Sequence, residues 1–395
     1  MKLSDRSANI APFHAMDVLA AASERQAAGH PVISLAVGQP AHPAPQAALA
    51  AARQALEHGR LGYTDASGRS SLRAAIAADY RARHDIDLDP ARVIVTTGSS
   101  AAFNLAFLAL FDPGDAVMIT RPGYPAYRNI LATLGLRVIE VETGGRNSPF
   151  LTPAMVEAAA EEAKDVPIAG LLMASPANPT GTVTPPDDLK ALIDFCQDYD
   201  ITFISDEIYH GLTYAGGEES ALTFSDQLVV INSFSKYYCM TGWRIGWMVV
   251  PQQAARTVER LAQSLYISPP EIAQIAAEAA LLARDELDLV RDGYRANRDF
   301  LLEALPQVGL VQAAPMDGAF YAYVDISAYS DDSMIFARQL LHEAHVAVTP
   351  GIDFDPVDGH RTIRLSYAGD NASIREAMAR MAQFLDTCVK IDPQN

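Results

Sequence analysis

The stretch that decides the fold is Asn232-Ser-Phe-Ser-Lys236-Tyr-Tyr-Cys-Met-Thr-Gly242-Trp-Arg244-Ile-Gly246, directly after the apolar run 228–231. A lysine just past a strand is costly if it points into the core. It is an ordinary residue if its loop is solvated, and in a cleft it can form a Schiff base. Ser233, Ser235 and Arg244 flank it. Hydroxyls donate hydrogen bonds and a guanidinium binds bidentately, so this set suits a phosphate dianion.

Other segments share that design. Ser175-Pro-Ala-Asn178-Pro-Thr-Gly181 follows the run 168–174, and Ser205-Asp206-Glu207-Ile208-Tyr209 follows 201–204. Thr96-Thr-Gly98-Ser99-Ser100 follows 93–95 and opens a helical pattern whose first N–H groups form an anion site. Ligands of open α/β sheets collect at the carboxyl ends of strands, so these groups should converge on one crevice.

Strand-like runs lie at 92–96, 116–120, 137–141, 169–174, 201–205, 228–232 and 244–250. Helical patterns separate several of them, at 100–111, 125–134, 153–163 and 186–199. The alternation predicts an α/β unit with a mainly parallel seven-stranded sheet, covered on both faces. A smaller α+β unit should follow. Its helical stretch is 270–305, its strands 319–324 and 361–367, and its helices 332–345 and 372–389. A boundary is expected within that helical stretch, near residue 285.

The 395 residues are 49% hydrophobic and 20% charged, as expected for a globular chain with a large core. Forty-eight acidic residues against 30 Lys and Arg give a net charge of −18, which makes the chain a poor candidate for phosphate-backbone binding. Cys196, Cys239 and Cys388 make neither a disulfide framework nor a metal-ligand spacing. No metal is expected, and a reducing compartment is the simpler reading. The amino terminus has no apolar stretch behind its charges, and the run 101–111 is too short for a bilayer. The expectation is a cytoplasmic protein with no membrane or nucleic-acid partner.

Taken in order and spacing, Ser-Phe-Ser-Lys236, Thr-Gly-Trp-Arg244-Ile-Gly246, Asn178-Pro-Thr-Gly181 and Asp206-Glu-Ile-Tyr209 make the chain resemble the class I/II aminotransferases. These are pyridoxal-phosphate enzymes of fold type I, and the resemblance spans nearly the whole chain. It implies transamination between an L-amino acid and a 2-oxo acid, 2-oxoglutarate among them, in a ping-pong cycle through a pyridoxamine form. Lys236 would hold the cofactor and then carry the proton. Asp206 would pair with the pyridine nitrogen, and Asn178 and Tyr209 would bind the phenolic oxygen. Tyr124 would stack on the ring. Ser99, Ser100, Ser233, Ser235 and Arg244 would hold the phosphate. Arg364 would clamp the substrate carboxylate, with Gly38 and Asn178 beside it. Arg361 falls on the opposite face of the same alternating run.

Tyr63 matches a tyrosine that reaches the neighbouring subunit's phosphate, implying a homodimer with shared sites. Gly98-Ser-Ser-Ala-Ala lacks the lysine that some aspartate-preferring relatives carry, which argues against a dicarboxylate specialist. His42 is expected to be exposed, and Phe354 lies in a segment that often lines the side-chain pocket. A lyase or decarboxylase on the same fold would share the lysine, the aspartate and the phosphate cup. A non-catalytic sensor would not need the full catalytic set.

Overall fold

The computed structural model describes residue 4 and residues 10–59, 61–143, 150–163, 166–388 and 390. Seven strands form the central sheet: β2 (Val93–Thr96), β3 (Ala116–Arg121), β4 (Arg137–Glu142), β5 (Ile168–Ala174), β6 (Thr202–Asp206), β7 (Val229–Ser233) and β8 (Gly246–Val249). A short β1 (Ile33–Ser34) precedes them. Their spatial order is β2-β8-β7-β6-β5-β3-β4, and only β8 runs antiparallel to its neighbours.

Alternation of side chains across the pleat divides the core in two. Val93, Val95, Leu171, Met173, Phe203, Val230 and Trp247 face one layer. Ile94, Val117, Ile119, Leu172, Ile204, Ile231 and Met248 face the other. Helices Ser99–Leu110, Pro125–Thr133 and Gln252–Leu265 cover the second layer through Phe103, Phe107, Leu131 and Val258. Helices Ser70–His84 and Pro186–Asp198 cover the first through Leu72, Ile76 and Leu192. Each such large apolar side chain contributes about 1.5–3 kcal/mol when fully buried.

The carboxyl-terminal third forms a four-stranded antiparallel sheet. Its strands are β9 (Val311–Gln312), β10 (Tyr321–Asp325), β12 (Thr349–Pro350) and β13 (Thr362–Ser366), in the order β12-β13-β10-β9. The strand β11 (Val346–Ala347) pairs in parallel with β1, which ties the amino-terminal segment to this part of the chain. The first described helix, His14–Ala27, is held from there too. The N–H groups of His14 and Ala15 each donate to the Asp353 carboxylate at 3.0 Å. These are orphan donors of a helix start, met by a side chain from far down the chain.

Several boundaries differ from expectation. Arg244 precedes β8 rather than opening it, because the turn Thr241–Trp243 leaves it left-handed at φ 50°. Ala319 is likewise left-handed, so the strand starts at Tyr321. The stretch 270–305, open to one helix or two from sequence, is two, Glu271–Ala280 and Arg284–Gln307. Asp332 caps its helix instead of joining it, accepting from the N–H groups of Met334 and Ile335. Helix Asn371–Thr387 ends the described fold, and Val389, expected as its last residue, lies outside the described residues, as does most of the amino-terminal stretch. Among the described residues, no helix is long and apolar enough to cross a membrane.

Candidate active site

The carboxyl ends of β2, β3, β5, β6 and β7 lie along one sheet edge. They deliver Ser99 and Ser100, Tyr124, Asn178, Asp206, and Ser235 with Lys236 to one cavity. The cavity, of about 220 Å³, is also lined by Gly38, Tyr209, Arg244 and Arg364. Thus most of the sequence-predicted site residues are brought together. Two are not. Ser233 is buried behind Ser235, and its hydroxyl donates to the Ile245 carbonyl at 3.0 Å and lies 2.9 Å from Ser235 Oγ. Tyr63 is 84% exposed and outside the cavity.

Lys236 Nζ donates to the Gly38 carbonyl at 2.6 Å. Burial pushes its amine down to about 7, helped by the cations Arg364 and Arg244, while Asp206 opposes the shift. The amine is therefore substantially neutral near pH 7, as a nucleophile must be. Gly38 has to be glycine, since a Cβ there would lie 2.1 Å from the Tyr321 hydroxyl.

Asp206 ends β6 and is almost fully buried. Its Oδ1 accepts from the Ile208 N–H at 3.1 Å, and its Oδ2 accepts a short hydrogen bond from the Tyr127 hydroxyl. Burial raises its carboxyl to about 6, against the lowering effect of Tyr127 and the Ile208 amide. A cationic partner in the cavity would reverse that shift. Tyr209 sits beside it, its hydroxyl 2.7 Å from that of Tyr321.

Gly98 has φ +82°, and the guanidinium of Arg244 lies where its Cβ would be, 2.3 Å away. Glycine therefore lets Arg244 close over the first turn of helix Ser99–Leu110, where backbone amides and two serines point outward. This is an anion cup built from a helix terminus, hydroxyls and one arginine.

Arg364, on β13, is buried. It donates to Asn178 Oδ1 at 2.9 Å and to the Ala36 carbonyl at 2.6 Å, and its Nε has no hydrogen-bond partner. The Tyr321 and Phe354 rings sandwich its Cζ at 4.4 and 4.6 Å, which offsets part of the cost of burying the charge. Phe354 supports the arginine rather than lining the cavity. Arg361 and His42 are exposed. The Asn178–Pro179 bond is cis.

Sequence reasoning misses four residues with evident roles: Tyr127, Tyr321, Phe13 and Met16. Tyr127 lies one helical turn after Tyr124, and the two rings meet edge to face at 5.3 Å. That spacing is a usable signal. The other three reach the cavity only through long-range packing. Tyr127→Phe should leave Asp206 without its hydroxyl donor, raise the carboxyl further and lower kcat about tenfold. A pH–rate profile checks this: the acidic limb should move up, and an unmoved limb would mean that Tyr127 only packs.

A family model described as aminotransferase class I and II matches residues 30–381. A valine–pyruvate aminotransferase from Mycobacterium tuberculosis is 46% identical over 96% of this chain and 97% of its own length. An aspartate/prephenate aminotransferase from Thermus thermophilus is 34% identical over 97% of this chain and 98% of its own. Among solved structures, an aminotransferase from Mycobacterium tuberculosis superposes with a TM-score of 0.94 at 45% identity, covering 98% of this chain and 100% of that one.

Proposed function

The chain belongs to the class I and II aminotransferases, and from that premise we propose that it moves the amino group of a neutral, apolar L-amino acid to a small 2-oxo acid. It is a pyridoxal-phosphate-dependent aminotransferase of fold type I. The residues present fit that cofactor. A depressed lysine amine, a buried carboxylate and an anion cup share one cavity.

When bound, pyridoxal phosphate supplies an electrophilic carbon for the amine and a ring that accepts the electron pair released at Cα. Lys236 would hold it and, once displaced by substrate, carry the proton to and from Cα. Asp206 would keep the ring nitrogen protonated. Asn178 and Tyr209 would donate to the phenolic oxygen, Tyr124 would lie against the ring, and Ser99, Ser100, Ser235 and Arg244 would hold the phosphate. Ser233 would act by orienting Ser235. Arg364 would take the substrate carboxylate on its two terminal nitrogens, replacing Asn178 and the Ala36 carbonyl as partners.

The observation that carries the donor class is the cavity wall. Phe13, Met16 and Val37 line it, and among the described lining residues the cations are Lys236, Arg244 and Arg364, all used above. A side-chain carboxylate would thus be buried without a partner. The same shortage, with the valine–pyruvate relative, favours a pyruvate-sized acceptor over the 2-oxoglutarate that the family resemblance suggests. A ping-pong cycle would join the two half-reactions.

The test is a half-reaction screen. Each amino acid is added singly to the holoenzyme, and the visible cofactor band, 2-oxo acid and ammonia are followed. Valine, leucine and methionine should bleach the band with no ammonia, and aspartate should be at least about tenfold slower. Fast aspartate turnover would overturn the donor class, and catalytic ammonia release without acceptor would favour a lyase. Pyruvate and 2-oxoglutarate, compared in the return half-reaction, decide the acceptor.

The exposed Tyr63 supports a homodimer in which it completes the partner subunit's phosphate cup. The break between helices Glu271–Ala280 and Arg284–Gln307, and the pairing of β1 with β11, support two domains of 47–285 and of 1–46 with 286–395. Arg364 lies in the second, so substrate binding would draw the two together.

A further inference from the structure

Behind the loop that follows β6, on the side away from the cofactor cavity, potential metal ligands converge. His84 closes helix Ser70–His84, and His210 and Glu218 lie in the turn and loop after β6. Their ligand atoms all fall within 4.8 Å of one another, and none of the three lines the cofactor cavity.

The side chains of the two histidines are 8% and 7% exposed. Each ring has a carboxylate on its Nδ1 side. Glu207 Oε2 is 3.5 Å from His210 Nδ1, and Glu219 Oε1 is 3.7 Å from His84 Nδ1. Carboxylates in that position orient metal-ligating histidines and leave the other ring nitrogen to bind. The rings themselves lie 5.8 Å apart.

Glu218 is fixed by hydrogen bonds that both fall on Oε2, from the Gly211 N–H at 2.8 Å and Thr213 Oγ1 at 2.7 Å. Oε1 is left to coordinate.

Charge and space agree. Glu207, Glu218 and Glu219 surround the site, while the nearby Arg83 is taken by Asp79 at 2.9 Å and lies over the Tyr237 ring at 4.8 Å. The carboxyl end of helix Ser70–His84 also favours a cation. A cavity of about 20 Å³ lined by His84, Glu207, His210 and Asn232 adjoins the ligands, with room for about one water.

We propose that His84, His210 and Glu218 bind one divalent ion of the zinc class, with a water in the fourth position. Two imidazoles and a carboxylate suit zinc rather than calcium or magnesium, which prefer all-oxygen sites. Bonds of about 2.0–2.1 Å put tetrahedral ligands about 3.3 Å apart, so the side chains need close by no more than about 1.5 Å. The ion staples the end of a first-layer helix to the loop that follows Asp206 and carries Tyr209. It is structural and takes no part in turnover.

The experiment uses the holoenzyme, dialysed against a chelator and titrated calorimetrically with zinc chloride. The expected result is one ion per chain, a rise in Tm with zinc, and intense visible cobalt(II) bands of a four-coordinate site. His84→Gln and Glu218→Gln should each weaken zinc binding about 100-fold while the cofactor band persists. Should His84→Gln not fold, Glu218→Gln and the wild-type cobalt spectrum carry the test alone. Uptake far below one ion per chain, a pale six-coordinate cobalt spectrum, or zinc affinity unchanged in the folded variants would each overturn the proposal.

Discussion

Lys236→Ala should purify without covalently held cofactor and lose at least about 10⁴-fold in turnover. Two roles disappear together, because the same amine attaches the cofactor and carries the Cα proton. The half-buried setting makes the wild-type behaviour measurable. With its amine pushed down to about 7 by burial and by Arg364 and Arg244, Lys236 is protonated below that pH and neutral above it. Cofactor uptake by the apoenzyme should rise with pH through about 7 and then level off. Near-wild-type turnover in the variant would remove Lys236 from the mechanism. A pH-independent uptake rate would remove the depressed amine.

Arg364→Ala should lower kcat/KM by about 10²–10³-fold for every amino acid tested, from the loss of a buried, charge-assisted pair of hydrogen bonds. The loss should be uniform, because the α-carboxylate is common to all donors. Part of it comes from the neighbours, since Asn178 Oδ1 and the Ala36 carbonyl lose their donor as well. The Tyr321 and Phe354 rings would meet across the space left by the guanidinium. Steady-state kinetics with valine, methionine, phenylalanine and aspartate checks this. A defect confined to aspartate would show that Arg364 reads a side chain instead.

Much of this site is legible in the amino-acid sequence, for a local reason. Lys236, Asp206, Asn178 and Ser99 each stand just beyond an apolar run, and a parallel sheet gathers such positions at one edge. The existence of the seven central strands and of β10 and β13 follows from the apolar runs as well, whereas the two-residue strands β1, β9, β11 and β12 carry no such signal. Boundaries are less legible where a backbone choice depends on distant atoms. Arg244 stands outside the strand in a left-handed conformation, with its guanidinium over Gly98.

Tyr127 and Tyr321 escape sequence reasoning because a tyrosine in an apolar pattern reads as core until its hydroxyl finds Asp206 or Tyr209. Phe13 and Met16 reach the cavity only because Asp353 anchors their helix. His84 and Glu218 are far apart in sequence and on different elements, so no spacing rule could pair them.

The Asp353 anchor also bears on how the protein is born. The carboxylate that caps the helix His14–Ala27 is made 339 residues after the first N–H that donates to it, and the β11 strand that pairs with β1 also comes late. At about 5–20 residues per second, the opening segment waits tens of seconds for its native contacts. During that wait its apolar face, with Ala22 and Val32, has no native cover. The wall of the substrate cavity that it supplies is completed only once Asp353 has been made. A nascent chain could therefore assemble its parallel sheet and its phosphate cup well before it could choose among amino acids.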